Sequence, residues 1–119
     1  MPRQILSISY DETLLQTRQL MLERSGYEVT SSFGFTASLA QCMRSIWDLL
    51  IMGHSIPISD KRALLEEFRK HNQVPVLALQ RLGEAQLPGA EHSLNPEHPE
   101  ELLATVEKIL NSNRRGASF

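Results

Sequence analysis

The chain has 119 residues, of which 41% are hydrophobic and 22% charged, and this balance fits one globular domain with its own core. The net charge of −2 gives no basic field for nucleic acid, no apolar run is long enough to span a membrane, and the single cysteine excludes an internal disulfide. We therefore expect a cytoplasmic protein that contacts neither nucleic acid nor membrane.

The first half of the chain alternates strand-like and helical patterns. Residues 4–9 predict a strand, and in the helix that follows Arg18 interrupts an apolar stripe and should lie at its border. Residues 27–33 predict a second strand, and residues 36–45 a second helix in which Cys42 is interpreted as a structural rather than a redox residue. The inward face of that second helix is expected to consist of Ala37, Leu39, Ala40 and Met43.

The second half of the chain continues the alternation. Residues 48–52 and 74–79 are continuously apolar, which is typical of central parallel strands covered on both faces. Residues 59–72 predict a helix between them, with Ser59 as its N-cap. A polar stretch broken by glycine and proline follows, and residues 92–94 within it form a candidate fifth strand.

This order of segments predicts an α/β fold with one doubly wound parallel sheet. Five strands at this chain length fit the flavodoxin-like order 2-1-3-4-5. The domain is expected to cover residues 1–110, with a last helix that starts at Pro99, and residues 111–119 are expected to form a flexible tail. Ligands of such sheets bind at the carboxyl ends of the strands, so functional residues are expected there.

Five segments between Ile5 and Leu110 occur in a characteristic order. They are ILSIS with a polar turn after it, LMLERSGYEV, DLLIMGHSIP, VPVLAL and LNPEHPEELLATVEKIL. In this order they resemble the receiver domain of bacterial two-component response regulators, which has the CheY-like fold. The resemblance implies a place in signal transduction or a phosphorelay, with a kinase or an output protein as partner.

The resemblance also assigns the functional positions of that family, and every one carries a different residue here. The roles are the two acids that hold Mg²⁺, the phosphoacceptor aspartate, the switch threonine or serine, and a lysine before a proline. They fall, in chain order, on Ser9, Tyr10, Gly53, Gln80 and Asn95. Phosphoryl transfer to a carboxylate needs the carboxylate and a hard cation, so the family's chemistry is not expected. A register shifted by one residue would bring Asp11 into the acid pair but would still leave no aspartate after the third strand.

Three polar side chains, Asp11, His54 and Arg81, are expected at the rim of this degenerate pocket. His54 has the chemistry of a phosphohistidine, a metal ligand or a general base, although an ordinary loop histidine is favoured. A three-histidine metal site would require His92 and His98 to converge on it, and the spacing offers no support for that. Asp11 stands just before the first helix, where capping is favoured over catalysis.

The missing side chain at Gly53 raises the question of what fills the pocket. We expect the ring of Tyr10, together with neighbouring loop atoms, to fill it, with stacking of the ring on a ligand as the alternative. Gln80 and Asn95 are expected to pair with each other, or else to bind a small ligand. A cis peptide bond is expected before Pro96, because receivers usually have one there. Only 14 residues separate Gln80 from Asn95, so the fourth helix of a receiver should be shortened or absent.

The leading hypothesis is a degenerate receiver, or pseudo-receiver, that works as a phosphorylation-independent protein-interaction module. It would be no enzyme, would need no metal or cofactor, and would bind a signalling kinase or an output protein, with a homodimer left open. The alternative is a sensor that binds a small ligand or an anion in the emptied pocket. An enzyme on this scaffold is least supported, because SYDET follows the first strand where a glycine-rich phosphate loop would stand.

Overall fold

The computed structural model describes residues 2–81, 83–84, 86–95 and 99–117. Within these ranges, strands and helices alternate along the chain almost throughout. Their bounds are β1 Gln4–Ser9, α1 Glu12–Arg24, β2 Glu28–Phe33, α2 Phe35–Cys42, β3 Leu49–Met52, α3 Ile58–His71, β4 Val76–Leu79, β5 His92–Leu94 and α4 Pro99–Ala117. The first and the fifth strand have the predicted bounds.

The strands form one parallel sheet in the order β2-β1-β3-β4-β5. Ile5 of β1 is paired with Val29 of β2 on one side and with Leu49 of β3 on the other. On the far edge, Leu79 of β4 is paired with Leu94 of β5. The predicted flavodoxin-like order is therefore confirmed, and the carboxyl ends of β1 and β3 lie side by side at the point where the strand order reverses.

Helices cover both faces of the sheet, and successive strand residues point to opposite faces. α1 and α4 pack on the face that carries Ile5, Ile51 and Leu77. α2 and α3 pack on the opposite face, which carries Leu6 and Met52. Every residue of β3 and β4 is buried, as their continuously apolar sequences predict.

The connection between β4 and β5 contains no helix among its described residues. It turns instead at Gly83 and Gly89, whose φ angles are 89° and 92°, in the left-handed region that favours glycine. Between the turns, Leu87 is buried and packs with Leu65 and Phe68 of α3. The predicted loss of this helix is confirmed, and one leucine takes over part of the cover that a helix would give the sheet.

Two local predictions about helices are wrong. α3 begins at Ile58 with Pro57 rather than Ser59 at the N-cap position, because the φ of −57° at the proline already suits entry into a helix. α2 ends at Cys42, so Met43 lies beyond it and is 53% exposed. Of the residues expected to face inward, Leu39 is half-buried against the core, whereas Ala37 and Ala40 are exposed and the helix buries Ser38 and Cys42. The Ser38 hydroxyl is 3.0 Å from the Ser32 hydroxyl, which offsets the cost of burying it.

The last helix extends beyond the expected end of the domain. α4 continues to Ala117 and so enters the segment 111–119 that the sequence suggests is a tail. The domain limit at residue 110 and the flexibility of that segment stay predictions. No helix in the described part of the chain is both long and apolar enough to cross a membrane.

Replacing Leu87 tests whether this loop residue is part of the core. We expect Leu87→Ala to lower the free energy of unfolding by about 2–3 kcal/mol, because it removes buried methyl groups from beneath a short loop. Urea unfolding followed by circular dichroism measures the change. Leu20→Ala, at a position 57% exposed on α1, is the control and should change stability by less than about 0.5 kcal/mol. Equal effects of the two variants would contradict a structural role for Leu87.

Candidate functional site

The loops that follow β1 and β3 are joined by two serine hydroxyls. The Gly53 amide donates to the Ile8 carbonyl at 2.8 Å, which continues the strand pairing past the end of β3. Beside it, Ser9 Oγ is 3.2 Å from Ser55 Oγ, and Ser55 Oγ accepts a hydrogen bond from the Tyr10 amide at 3.0 Å. The structure therefore brings Ser9, Tyr10 and Gly53 together at the switch point, as predicted.

The space beside Gly53 is occupied by an arginine. A Cβ atom built on Gly53 would lie 3.1 Å from Arg18 Nη1, 3.1 Å from the Ile8 carbonyl oxygen and 3.2 Å from Ser9 Oγ. The φ of Gly53 is not positive, so the lack of room rather than the backbone conformation disfavours a larger residue here. The prediction that Tyr10 fills this space is wrong.

Tyr10 makes a different contact. Its hydroxyl donates to Asp60 Oδ2 at 2.8 Å, and its ring packs against the core on the α2–α3 face. Burial raises the pKa of Tyr10, and the carboxylate of Asp60 raises it further because a phenolate beside it would be repelled. The Tyr10 side chain therefore connects the β1–α1 loop to the first turn of α3 and does not fill the space beside Gly53.

Arg18 lies inside the protein. The prediction that it lies at the border of the apolar stripe of α1 is therefore wrong. Arg18 is 6% exposed and shares a helix face with Leu15 and Leu22, three residues before and four after it. Its Nη1 atom is buried without a hydrogen-bond partner. Desolvation lowers the pKa of Arg18, and the carboxylate of Asp11 only partly offsets this effect.

Asp11 is the N-cap residue of α1. Its side chain accepts a hydrogen bond from the Leu14 amide at 3.2 Å and caps α1. The capping interpretation of Asp11 is therefore confirmed.

His54 lies next to Gly53 among several cationic groups. Its Nδ1 atom is buried and has no hydrogen-bond partner. Burial lowers the pKa of His54, and the positive charges of Arg81, Arg18 and Lys61 lower it further, while Glu84 acts in the opposite direction. The imidazole is thus held towards its neutral form.

Lys61 is a member of the site that was not identified from the sequence. It is 3% exposed, and burial lowers the pKa of its ammonium group, with Glu84 opposing the shift. The signal was present in the spacing, because Lys61 stands three and four residues before the buried Leu64 and Leu65 on the same face of α3. The charged end of a lysine in such a stripe normally reaches solvent, so the spacing alone does not predict its burial.

The remaining predicted residues lie around a neighbouring cavity. Gln80, Arg81, Glu84 and Asn95 are among the residues that line a space of about 270 Å³ at the carboxyl ends of β4 and β5. The Arg81 amide donates to Glu84 Oε1 at 2.7 Å, which shapes the turn after β4. The pairing of Gln80 with Asn95 stays a prediction, and Pro96, with its expected cis bond, lies outside the described residues.

The alternative sites gain no support from the described part of the chain. It contains no group of three histidine, cysteine or acidic side chains able to hold a metal ion. His92 is exposed on β5, and His98 lies outside the described residues. Cys42 is fully buried, and burial together with the charge of Glu67 raises its pKa to about 12, which agrees with a structural role.

Comparison with known proteins relates the chain to receiver domains. A CheY-like response regulator receiver domain protein from Methanospirillum hungatei is 22% identical, with a TM-score of 0.82 over 98% of this chain and 99% of that one. A two-component response regulator from Clostridium difficile is also 22% identical, with a TM-score of 0.79 over 92% and 96%. A chemotaxis response regulator of Vibrio cholerae is 20% identical, with a TM-score of 0.73 over 92% of this chain and 99% of that one. No family model and no curated protein matches. The chain therefore has the CheY-like fold, and at these identities the likeness concerns the fold.

Removing the charge of Arg18 should stabilise the protein. We expect Arg18→Met to raise the free energy of unfolding by about 1 kcal/mol or more, because methionine keeps an unbranched apolar stem and removes a buried cation whose Nη1 atom has no hydrogen-bond partner. Urea unfolding measures the change. Arg24→Met, on the exposed last turn of α1, is the control and should be nearly neutral. A loss of stability in Arg18→Met alone would show that the guanidinium has a favourable partner.

The depressed pKa of His54 should make stability depend on pH. As the pH falls through about 6.5, the unfolded chain takes up the proton first, so folding weakens until the pH drops below the pKa of the folded state. We expect the free energy of unfolding of the wild type to fall more between about pH 7.5 and about pH 5 than that of His54→Gln. His71→Gln, at an exposed position near the end of α3, serves as the control. Parallel pH profiles for the wild type and His54→Gln would contradict this prediction.

Proposed function

We propose that this chain is a degenerate receiver of two-component-type signal transduction, a bacterial-type pseudo-receiver that takes no phosphoryl group and acts by binding another protein. The observation that carries the proposal is the pocket at Gly53. The resemblance to receivers puts the phosphoacceptor aspartate at this residue, and here a guanidinium nitrogen lies 3.1 Å from where a Cβ would be. No nucleophile is available at that position, because glycine has no side chain.

The surroundings of Gly53 also disfavour the metal that phosphoryl transfer would need. Ser9 and Tyr10 offer hydroxyl groups where the resemblance expects two carboxylates, and the Ser9 hydroxyl is already bonded within the loops. A divalent cation bound there would in addition face the positive charge of Arg18. Hard cations favour several anionic oxygen ligands, so this arrangement supports a role without Mg²⁺ and without enzymatic activity.

Protein binding is the function that remains to a receiver fold without its chemistry. The partner class implied by the resemblance is a signalling kinase or an output protein in the cytoplasm, with self-association as a further possibility. The β4–β5 connection contains buried Leu87 and two glycine turns, and no helix among its described residues, where the resemblance to receivers implies a helix. We propose that the partner protein binds this surface, and that the choice of partner therefore differs from that of phosphorylated receivers.

A second candidate function, sensing of a small ligand or an anion in the emptied pocket, is favoured by one observation. Arg18 Nη1 and His54 Nδ1 are both buried without a hydrogen-bond partner. Polar atoms in protein interiors nearly always have partners, so two unpartnered nitrogens on residues near Gly53 are a feature that a bound ligand would account for.

Incubation with acetyl phosphate and Mg²⁺, followed by intact mass measurement, tests the leading proposal. We expect no added phosphoryl group on the wild-type protein, while an active receiver domain treated in parallel gains one. His54→Gln is measured beside the wild type because a histidine is the nearest alternative acceptor. A stoichiometric acid-labile adduct on the wild type would overturn the proposal, and its loss in His54→Gln would identify the acceptor.

A further inference from the structure

The outer edge of β2 is open. β2 stands at one end of the sheet and is paired with β1 alone among the described strands. The Glu28 amide donates to the Arg3 carbonyl at 3.0 Å and so points towards β1. Because peptide groups alternate in direction along a strand, the amides and carbonyls of Val29, Ser31 and Phe33 point away from the sheet. A row of backbone donors and acceptors is therefore available to a further strand.

β2 has few of the features that usually protect such an edge. Natural edge strands are commonly very short, interrupted by proline or lined with lysine. From Val29 to Phe33 the strand has neither proline nor lysine, and its one charged residue, Glu28, lies at its first position. The strand at the other end of the sheet, β5, has three residues, whereas β2 has six. The longer and less protected edge of the sheet is therefore that of β2.

The side chains along this edge end in an exposed aromatic ring. Phe33, the last residue of β2, is 54% exposed. Val29, Ser31 and Phe33 share one face of the sheet because they stand at alternate positions. α1 covers that face, and the Ser31 hydroxyl donates to Gln19 Oε1 of this helix at 2.7 Å. The edge thus presents an apolar side chain on either side of one small residue.

We propose that two copies of this chain associate by antiparallel pairing of their β2 strands, with Ser31 on the twofold axis. In this register Val29 of each copy lies opposite Phe33 of the other, and Thr30 lies opposite Ser32. The outward backbone groups of the two copies then face each other, and each outward pair exchanges two hydrogen bonds. The two sheets become one continuous sheet across the dimer.

The strand is complementary to itself in this register, as a twofold interface requires. An aromatic side chain directly opposite a β-branched one is a favourable cross-strand pair, and the Val29–Phe33 pair occurs twice and covers both exposed rings. Ser31 is small, and Gln19 holds its side chain, so two backbones can meet at the axis. Glu28 falls opposite Gly34 of the other copy and not opposite a second Glu28, so like charges do not meet.

This inference goes beyond the proposed function, which puts the binding of another protein at the β4–β5 connection. β5 and β2 lie at opposite ends of the sheet. A dimer formed through β2 therefore leaves the β4–β5 connection of both copies free and presents two of these surfaces to a partner.

Sedimentation equilibrium of the wild type from about 5 μM to about 500 μM measures the association, since pairing of single edge strands is a small interface and should be weak. We expect a reversible equilibrium between monomer and dimer. Amide hydrogen exchange in dilute and concentrated samples reports the register. The amides of Val29, Ser31 and Phe33 should exchange at least about fivefold more slowly in the concentrated sample, while those of Thr30 and Ser32, which point towards β1, should change little.

Two pairs of matched variants assign the association to this edge. Ser31→Pro removes an outward amide and should weaken association at least about tenfold, because proline cannot donate to a ladder. Ser31→Ala loses the same side-chain bond to Gln19 but keeps the amide, so it should associate as the wild type does.

The second pair of variants tests the side chains. Phe33→Lys should also weaken association at least about tenfold, since it removes the aromatic partner of Val29 and adds a charge to the edge. Leu20→Lys is the control, because Leu20 is 57% exposed and lies with Leu103 on the side of α1 that faces α4. Circular dichroism checks that each variant folds. If Ser31→Pro does not fold, the comparison of Phe33→Lys with Leu20→Lys decides the question.

Three results would overturn the dimer. They are a wild type that stays monomeric at every concentration, equal association by Phe33→Lys and Leu20→Lys, and protection of the edge amides only after another protein is added, which would assign the edge to a foreign strand. None of them bears on the absence of phosphoryl transfer, which the mass measurement decides separately. Conversely, a phosphoryl adduct on the wild type would overturn the degenerate-receiver proposal and leave the association as measured.

Discussion

The contact between the Arg18 guanidinium and Gly53 is the constraint on which the carboxyl edge of the sheet depends. Burial of a cation is costly, and Arg18 Nη1, which has no hydrogen-bond partner, lies where a side chain at residue 53 would begin. Burial, the positive charge of Arg81 and then that of Arg18 lower the pKa of His54 and hold its imidazole towards the neutral form. The charge on α1 thus contributes to the chemistry of a residue on the loop after β3.

Packing alone does not explain this choice of side chain. Tyr10 is large enough to fill the volume and stands beside it in the sequence, yet its hydroxyl is held by Asp60 on α3. That bond, with the pair of hydroxyls from Ser9 and Ser55, fixes the β1–α1 loop to the opposite loop. The space is left to Arg18, whose unbranched stem reaches it from the apolar face of α1. A buried charge in this position costs stability, and groups with perturbed pKa values cluster at functional sites.

In the β4–β5 connection, on the other side of the site, a single loop residue likewise fills space in the core. Leu87 supplies the buried surface there, and Gly83 and Gly89 make the turns that a helix would have made unnecessary. The shorter connection leaves a cavity beside Arg81, at the same edge of the sheet as His54. The connection without a helix among its described residues and the buried positive charge of Arg18 therefore lie at the same edge of the sheet.

The sequence by itself determined the order of strands and helices, the doubly wound sheet and the lack of a side chain at Gly53, since local periodicity and residue identity carry that information. It also placed Asp11 correctly as a cap, which depends only on the adjacent helix. It did not reveal which side chain fills the space beside Gly53, because Arg18 reaches it from a helix whose rotation on the sheet is set by packing. Only the tertiary structure decided that the side chains of Arg18 and Lys61 are buried, because burial of a charge depends on neighbours far apart in the chain.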